Sequence, residues 1–262
     1  QEKAVRYYNA MQILSAPMVA ISANSPLLFG KRLWQETRIP LFEQAVAIGG
    51  IAGGAFGPLK RVSFGSGYAR HSIMEVFSEN AEHFPLLLPV DLGDETERFN
   101  HLRLHNGTIW RWNRPLIGFD EDGTPHVRIE HRVIPAGPSI IDTLANTALF
   151  YGLVSVLAEQ ETAVEQQMEF FQARDNFYAA ARYGLSAQVT WLDGRRGRMG
   201  ELLQQLIPVA RQGLERLGCE PRLNDYYLSI IEQRLISGQT GATWQLGYLD
   251  RHGNDLAAML AA

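Results

Sequence analysis

Arg128, Glu130 and Arg132 alternate along His126–Val133 with Val127, Ile129, His131 and Val133. In a β-strand, successive side chains point to opposite faces. The segment therefore offers one mostly apolar face and one face carrying a carboxylate between two guanidiniums. A carboxylate is a hard oxygen ligand suited to Mg²⁺. The planar fork of arginine donates two hydrogen bonds at once to phosphate oxygens. Phosphoryl transfer draws on that pairing, with fixed cations around the transferred group and a metal that offsets its charge. The same pattern also fits a solvent-exposed sheet face with a ladder of charges, which contributes little stability. Arg111 and Arg114 in Trp110-Arg-Trp-Asn-Arg-Pro115, with Arg103 and His105 just before them, add polar groups and favour the phosphate reading. His131 shares the apolar face and reads as a core histidine. Trp110 and Trp112 read as sheet-packing residues.

The elements that must hold these residues follow from pattern. Val5, Tyr8, Met11 and Leu14 share one helical face, so a first helix is expected to about Leu14, with Pro17 beyond it. Ser22–Pro26 reads as a polar turn, and Leu33–Ala47 has helical character interrupted by Pro40. Gly49–Pro58 holds five glycines and reads as loop. It lacks the Lys-Ser/Thr ending of a phosphate-binding loop. Leu102–Trp112 has β character, and Asn106-Gly107 signals a hairpin. The turn Asp120–Gly123 leads into the charged strand. Ser139 then caps a long helix through Leu157, followed by helices over Gln160–Ala181, Met199–Leu217, Leu223–Ser237 and Asp255–Leu260, with Gly218 ending one of them. Strands first and helices later make an α+β arrangement with an antiparallel sheet.

The chain has 262 residues, a net charge of −4 and ordinary globular composition, 46% hydrophobic and 20% charged. The acidic balance, with pI near 6.0, argues against a nucleic-acid binder. A lone cysteine, Cys219, rules out an internal disulfide framework and makes a reducing, cytoplasmic setting the expectation. Cys219 itself reads as a small apolar residue near a helix end. Leu144–Leu157, broken by Asn146, Thr147 and Gly152, reads as a buried core helix, and no membrane span is expected.

Ser22-Ala-Asn-Ser-Pro26, Gly30, Glu36-Thr-Arg38, Leu104-His-Asn-Gly-Thr-Ile-Trp110, Arg114-Pro115 and Arg128-Ile-Glu-His-Arg132 resemble the glutamate–cysteine ligase and carboxylate–amine ligase family. Ala181-Arg-Tyr-Gly-Leu185, Trp191-Leu-Asp-Gly194 and Gly241-Ala-Thr-Trp244 extend the resemblance over nearly the whole chain. It implies a single glutamine-synthetase-like catalytic domain over 1–262. An antiparallel sheet would curve around a funnel within 1–138, and C-terminal helices over 139–262 would cover it. It further implies ATP with Mg²⁺, Mn²⁺ being an alternative. Activation of a glutamate-like carboxylate as an acyl phosphate and attack by an amine complete the implied chemistry. The partners would then be small-molecule amino-acid and amine substrates, and self-association is left open.

Under the resemblance, Glu130 is similar to the family's metal ligand and Arg132 to its cation on the transferred phosphoryl group. Arg111, Arg114 and Arg128 would bind nucleotide phosphates. Asn24, Ser25 and Arg38 would lie at the substrate end, with Arg38 on a substrate carboxylate. The family also carries an early Gly-x-Glu-x-Glu segment of metal-binding carboxylates, and none precedes Ser22 here. Its N-terminal strands are therefore expected to be missing. That departure keeps a second expectation alive, a homologue that binds nucleotide or amino acid without turnover. A phosphotransferase that stops at the phosphorylated acceptor is a third.

Overall fold

The computed structural model describes residues 2–46, 60–93 and 96–262. The glycine-rich loop expected at 49–58 lies outside the described residues. In chain order come α1 (Glu2–Ser22), β1 (Leu27–Leu28), β2 (Lys31–Arg32), α2 (Arg38–Ala45), β3 (Val62–Ser63), α3 (Met74–His83) and α4 (Asn100–Gly107). Then follow β4 (Trp110–Arg111), β5 (Asn113–Phe119), β6 (Pro125–His131), α5 (Ile140–Leu157), α6 (Phe170–Tyr183), β7 (Gln188–Thr190) and β8 (Arg196–Arg198). The chain ends with α7 (Met199–Arg216), α8 (Pro221–Ser237), α9 (Gly241–His252) and α10 (Leu256–Ala261).

The composition is mixed helix and strand, as expected. The described strands form four two-stranded sheets rather than one wide curved sheet, and helices precede the charged strand as well as follow it. The chain divides into two compact units, Gln1–Tyr8 with Pro40–Arg132, and Asn9–Ile39 with Val133–Ala262.

In the first unit, β5 and β6 pair antiparallel over seven positions, from Asn113↔His131 to Phe119↔Pro125. β3 and β4 pair in parallel. The Trp112 N–H donates to Ser63 O (3.0 Å) and the Arg132 N–H to Trp112 O (2.9 Å), so Trp112 joins the two pairs. A small core of Val5, Tyr8, Ala69, Ile73 and Val76 receives Ile129 from the apolar face of β6. Val127, on that same face, is exposed. The stretch Asn100–Gly107 is helix, not the hairpin that Asn106-Gly107 suggests. Within it His105 and Asn106 are buried, and Leu102 is half-buried one turn before them. The Asn106 amide is buried, donating to Pro115 O (2.9 Å) and accepting from Asn80 Nδ2 (3.0 Å). These tertiary bonds override its turn propensity.

In the second unit, α1 continues through Pro17 to Ser22 instead of stopping near Leu14. Ile13, Leu14, Met18, Val19 and Ile21 are fully buried. Burying each contributes roughly 1.5–3 kcal/mol, which outweighs the ~3 kcal/mol cost of an interior proline. α5, α7 and α8 pack on one another. A Cβ on Gly213 would fall 1.8 Å from Gly152 O, and one on Gly152 2.2 Å from Ala210 O, so α5 and α7 meet backbone to backbone. Gly152, a break in the apolar run by sequence, is this contact point. α5 is long and apolar enough to cross a membrane, but half of that window is buried inside the structure. Ser139 caps it as expected, its hydroxyl accepting the Asp142 N–H. Gly218 ends α7 with φ +74°, while the neighbouring Cys219 is exposed rather than packed. The hairpin β7–β8 and helix α9 were not expected from pattern. β7–β8 turns at Trp191–Gly194, where Gly194 takes φ +76°.

His131 illustrates why the apolar face of β6 matters. Its Nδ1 lies 2.6 Å from Asn113 Oδ1, its opposite number in the ladder, and its Nε2 is shut off from solvent. Burial pushes the imidazole pKa down from 6.5 to about 3. The unfolded chain therefore binds more protons between those values. Stability from neutral His131 is complete above pH 6.5 and falls as pH drops through the window, by up to about 1.4 kcal/mol per pH unit. His131→Gln is expected to lower stability at neutral pH but to flatten this acid slope. Denaturant melts at neutral pH and near pH 5 read the difference, and an unchanged slope would break the link between this ring and folding.

Candidate functional site

The β5–β6 register sets Arg114 directly opposite Glu130. Residues directly opposite lie about 4.5–5.5 Å apart at Cβ, close enough for side chains to pair. Arg114 Nε and Nη2 approach Glu130 Oε2 at 3.1 and 2.9 Å, and Arg132 Nε reaches the same oxygen at 3.2 Å. Two guanidiniums thus share one carboxylate oxygen. The described contacts of Glu130 all fall on Oε2, and its side chain is 40% exposed. The Arg132 guanidinium lies over the Phe42 ring (5.7 Å), and Phe42 meets Trp112 edge-on (6.0 Å). The ring face attracts the guanidinium as a cation–π contact. The site is a cluster in which two guanidiniums converge on Oε2 of Glu130, beside Trp112, whose Nε1 donates to Glu43 Oε1 (2.7 Å).

Arg111 is not part of that cluster. It is buried, with Nη2 3.1 Å from Glu79 Oε2 and with Nε and Nη2 donating to Asn80 Oδ1 (3.2 and 2.9 Å). Its cation is matched inside the unit by α3. Arg128 lies on the cluster's face of β6, two residues along, and lines a cleft instead of pairing with Glu130. Glu79 and Asn80 escaped the sequence reading. Buried Val76, Phe77 and Asn80 have the spacing of a helical face that could have revealed α3.

Asn24, Ser25 and Arg38 gather in the second unit around Glu36, which is fully buried. Glu36 Oε2 accepts the Asn24 N–H (2.8 Å) and Oε1 accepts from Arg38 Nε (3.1 Å). Ser25 Oγ accepts the Arg38 N–H (3.1 Å), and Arg38 Nη2 donates to Val133 O (2.7 Å). A buried carboxylate needs such partners, since uncompensated charge in the interior is costly. The Ala-Asn-Ser-Pro turn and the Glu-x-Arg element are therefore one structural knot, with Glu36 as the centre that sequence reading quoted but gave no role. Asn24 also faces a cleft of about 680 Å³ with Arg234, Asp142, Thr240, Trp244 and Gln245. There Arg234 pairs with Asp142 Oδ1 (2.7 Å) and donates to Asn146 Oδ1 (2.6 Å). Gly241 is needed beside Asn24, because a Cβ there would fall 2.0 Å from its Oδ1.

A metal can be tested against these groups. Among the described residues, no three His, Cys, Asp or Glu side chains gather around a common point. Mg²⁺, however, is commonly held by one or two carboxylates together with substrate phosphates. The half-exposed carboxylate of Glu130 would suit a cation that arrives with a nucleotide rather than a cage built by protein alone.

No curated protein matches the chain. A family model described as glutamate-cysteine ligase family 2 matches residues 1–259. That match spans the Arg114–Glu130–Arg132 cluster, the Glu36 knot and the helices after them, and the chain belongs to the glutamate-cysteine ligase family 2.

Proposed function

We propose that the protein is an ATP- and Mg²⁺-dependent ligase that joins the carboxylate of a glutamate-like amino acid to an amine through an acyl phosphate. The observation that carries this reading is the Arg114–Glu130–Arg132 cluster in a chain of a ligase family. A substrate carboxylate oxygen would attack the γ-phosphorus of ATP, and the β,γ-bridging P–O bond would break to leave ADP. The amine nitrogen would then attack the acyl carbon, lose a proton and expel phosphate, giving the amide.

The protein's part in this scheme is electrostatic. Arg132, placed over the Phe42 ring, would meet charge developing on the transferred phosphoryl group, and Arg114 would support it. Glu130 would hold both guanidiniums in register while its half-exposed carboxylate faces the metal. When bound, the metal would offset phosphate charge. Arg128 would contact the nucleotide or the acid. Arg111, with its donors already engaged on α3, would act by positioning β4. Asn24 would contact the amino acid in its cleft, with Ser25 and Arg38 fixing the turn that carries it. A small-molecule acid and amine are the only partners this scheme needs.

A second reading is favoured by one observation. The one carboxylate described on Arg114 and Arg132, Glu130, is shared between the two arginines. The protein would then bind nucleotide or amino acid without turnover.

Two variants separate these readings. Glu130→Gln keeps an acceptor for the arginines but removes the charge. It is expected to cut Mg²⁺-dependent ADP release about 100-fold or more with a little-changed melting temperature. Normal turnover would exclude a role for that carboxylate, and no ADP release from the wild type with any amino-acid pair would favour the second reading. Arg132→Lys supplies a point charge where a fork is used, and a rate loss of about 100-fold is expected. Wild-type rate and ATP affinity in that variant would remove Arg132 from phosphate contact.

A further inference from the structure

The cleft of about 680 Å³ in the second unit is lined by α9 and α10 together with Asn24, Pro138, Asp142 and Arg234. Small-molecule sites occupy roughly 300–1,000 Å³. The two charged side chains of this cleft cancel each other. Arg234 Nη2 donates to Asp142 Oδ1 (2.7 Å) and its Nη1 to Asn146 Oδ1 (2.6 Å), while the Ser139 hydroxyl donates to Asp142 Oδ2 (2.7 Å). Among the described lining residues no other side chain is charged. An entering carboxylate or phosphate would face Asp142 without an unmatched cation. An ammonium would face Arg234 without an unmatched acid. Desolvating a charge without a partner is unfavourable.

The other polar groups are uncharged, and most are already engaged. Asn24 O and Oδ1 accept from Gln245 Nε2 (2.9 and 3.0 Å), and Asn24 Nδ2 donates to Ala136 O (3.0 Å). The Thr240 hydroxyl caps α9, accepting the Thr243 N–H (3.3 Å). Gln245 Oε1 and the Gln239 side-chain amide keep no hydrogen-bond partner among the described residues. The apolar lining is Pro138, Trp244, Met259 and Leu260. Buried Met259 docks α10, and Asp255 Oδ1 caps that helix through the Ala258 N–H (2.9 Å). Trp244 is half-buried and braced by Tyr248, their ring centroids 5.8 Å apart. A large ring held in this way offers apolar area at little entropic cost to a ligand ring.

We propose that this cleft binds an uncharged molecule with a ring-sized apolar body and one hydroxyl or amide group. The body lies against Trp244, Met259 and Leu260, and the polar group bonds Gln245 Oε1 or the Gln239 amide. The proposal goes beyond the ligase reading, which uses only Asn24 among the residues of this cleft, and does not depend on it.

Three indoles of similar size separate the charge states: indole-3-ethanol, tryptamine and indole-3-propionate. Titration calorimetry on the whole chain is expected to find the alcohol bound about tenfold or more tighter than the amine or the acid. Its affinity should change little with salt, since no charge pairs with it. Trp244→Ala should weaken the alcohol about tenfold or more, and Leu260→Ala about threefold. Leu260 is 83% exposed, so its variant keeps the fold even where Trp244→Ala does not, and melting curves verify both. No binding of the alcohol, equal or tighter binding of the amine or the acid, or wild-type affinity in every variant that folds overturns the proposal. Absence of ADP release would sink the ligase reading and leave these outcomes unaffected.

Discussion

The pairing register of β5 and β6 is the constraint on which the candidate chemistry depends. Side chains alternate with a period of two, so a slip of one residue would send Arg128, Glu130 and Arg132 to the opposite face. Three features pin the register: Ile129 enters the core beside Tyr8 and Ile73, His131 bonds Asn113, and Arg114 meets Glu130 across the ladder. The first is hydrophobic, the second a part-buried hydrogen bond and the third an ion pair. They lie on alternate sides of one strand, so a slip would break all of them together. The Phe42 ring lies under the Arg132 guanidinium, and α3 takes up Arg111. What remains is a cluster in which Arg114 and Arg132 converge on one oxygen of Glu130.

A different kind of constraint governs the second unit. Glu36 is charged chemistry in a dry place, and its two oxygens decide the path of the Ala-Asn-Ser-Pro turn through Asn24 and of the Glu-x-Arg segment through Arg38. Around it the backbone is as tightly specified as the side chains. The Thr37 N–H donates to Ser25 O (2.9 Å), the Glu36 N–H to Ala181 O (2.8 Å) and the Ala242 N–H to Ala23 O (2.9 Å). Segments that looked like separate family motifs, Ser22–Pro26, Glu36–Arg38, Ala181–Leu185 and Gly241–Trp244, are thereby neighbours. Their pattern in sequence records a shared hydrogen-bond network.

The charged strand was legible because a period of two is a strong signal and the Asp120–Gly123 turn bounds it. The long C-terminal helices were legible from the apolar Leu144–Leu157 run and the caps Ser139 and Gly218, although the helix expected from Gln160 begins at Phe170. Elements set by distant partners were not. Asn106-Gly107 has the local chemistry of a hairpin, but the Asn106 amide answers to Asn80 and Pro115, residues that no local window contains. Pro17 looks like a stop, yet burial of Met18, Val19 and Ile21 carries α1 past it. For the site, residue types singled out Glu130 and its arginines, while partner choice was hidden. Nothing in the sequence says that Arg111 belongs to Glu79, that Arg114 belongs to Glu130, or that Arg103 stacks on Phe119 beside Arg128 in one cleft.

The account's central claim is carboxylate activation by phosphoryl transfer, and the fate of one oxygen atom reports on it. With ¹⁸O in the side-chain carboxylate of glutamate, ATP and an amine acceptor, turnover through an acyl phosphate must move one labelled oxygen into the released phosphate. Mass analysis of that phosphate is expected to find the label in step with amide formed. Amide formed with unlabelled phosphate would contradict the account.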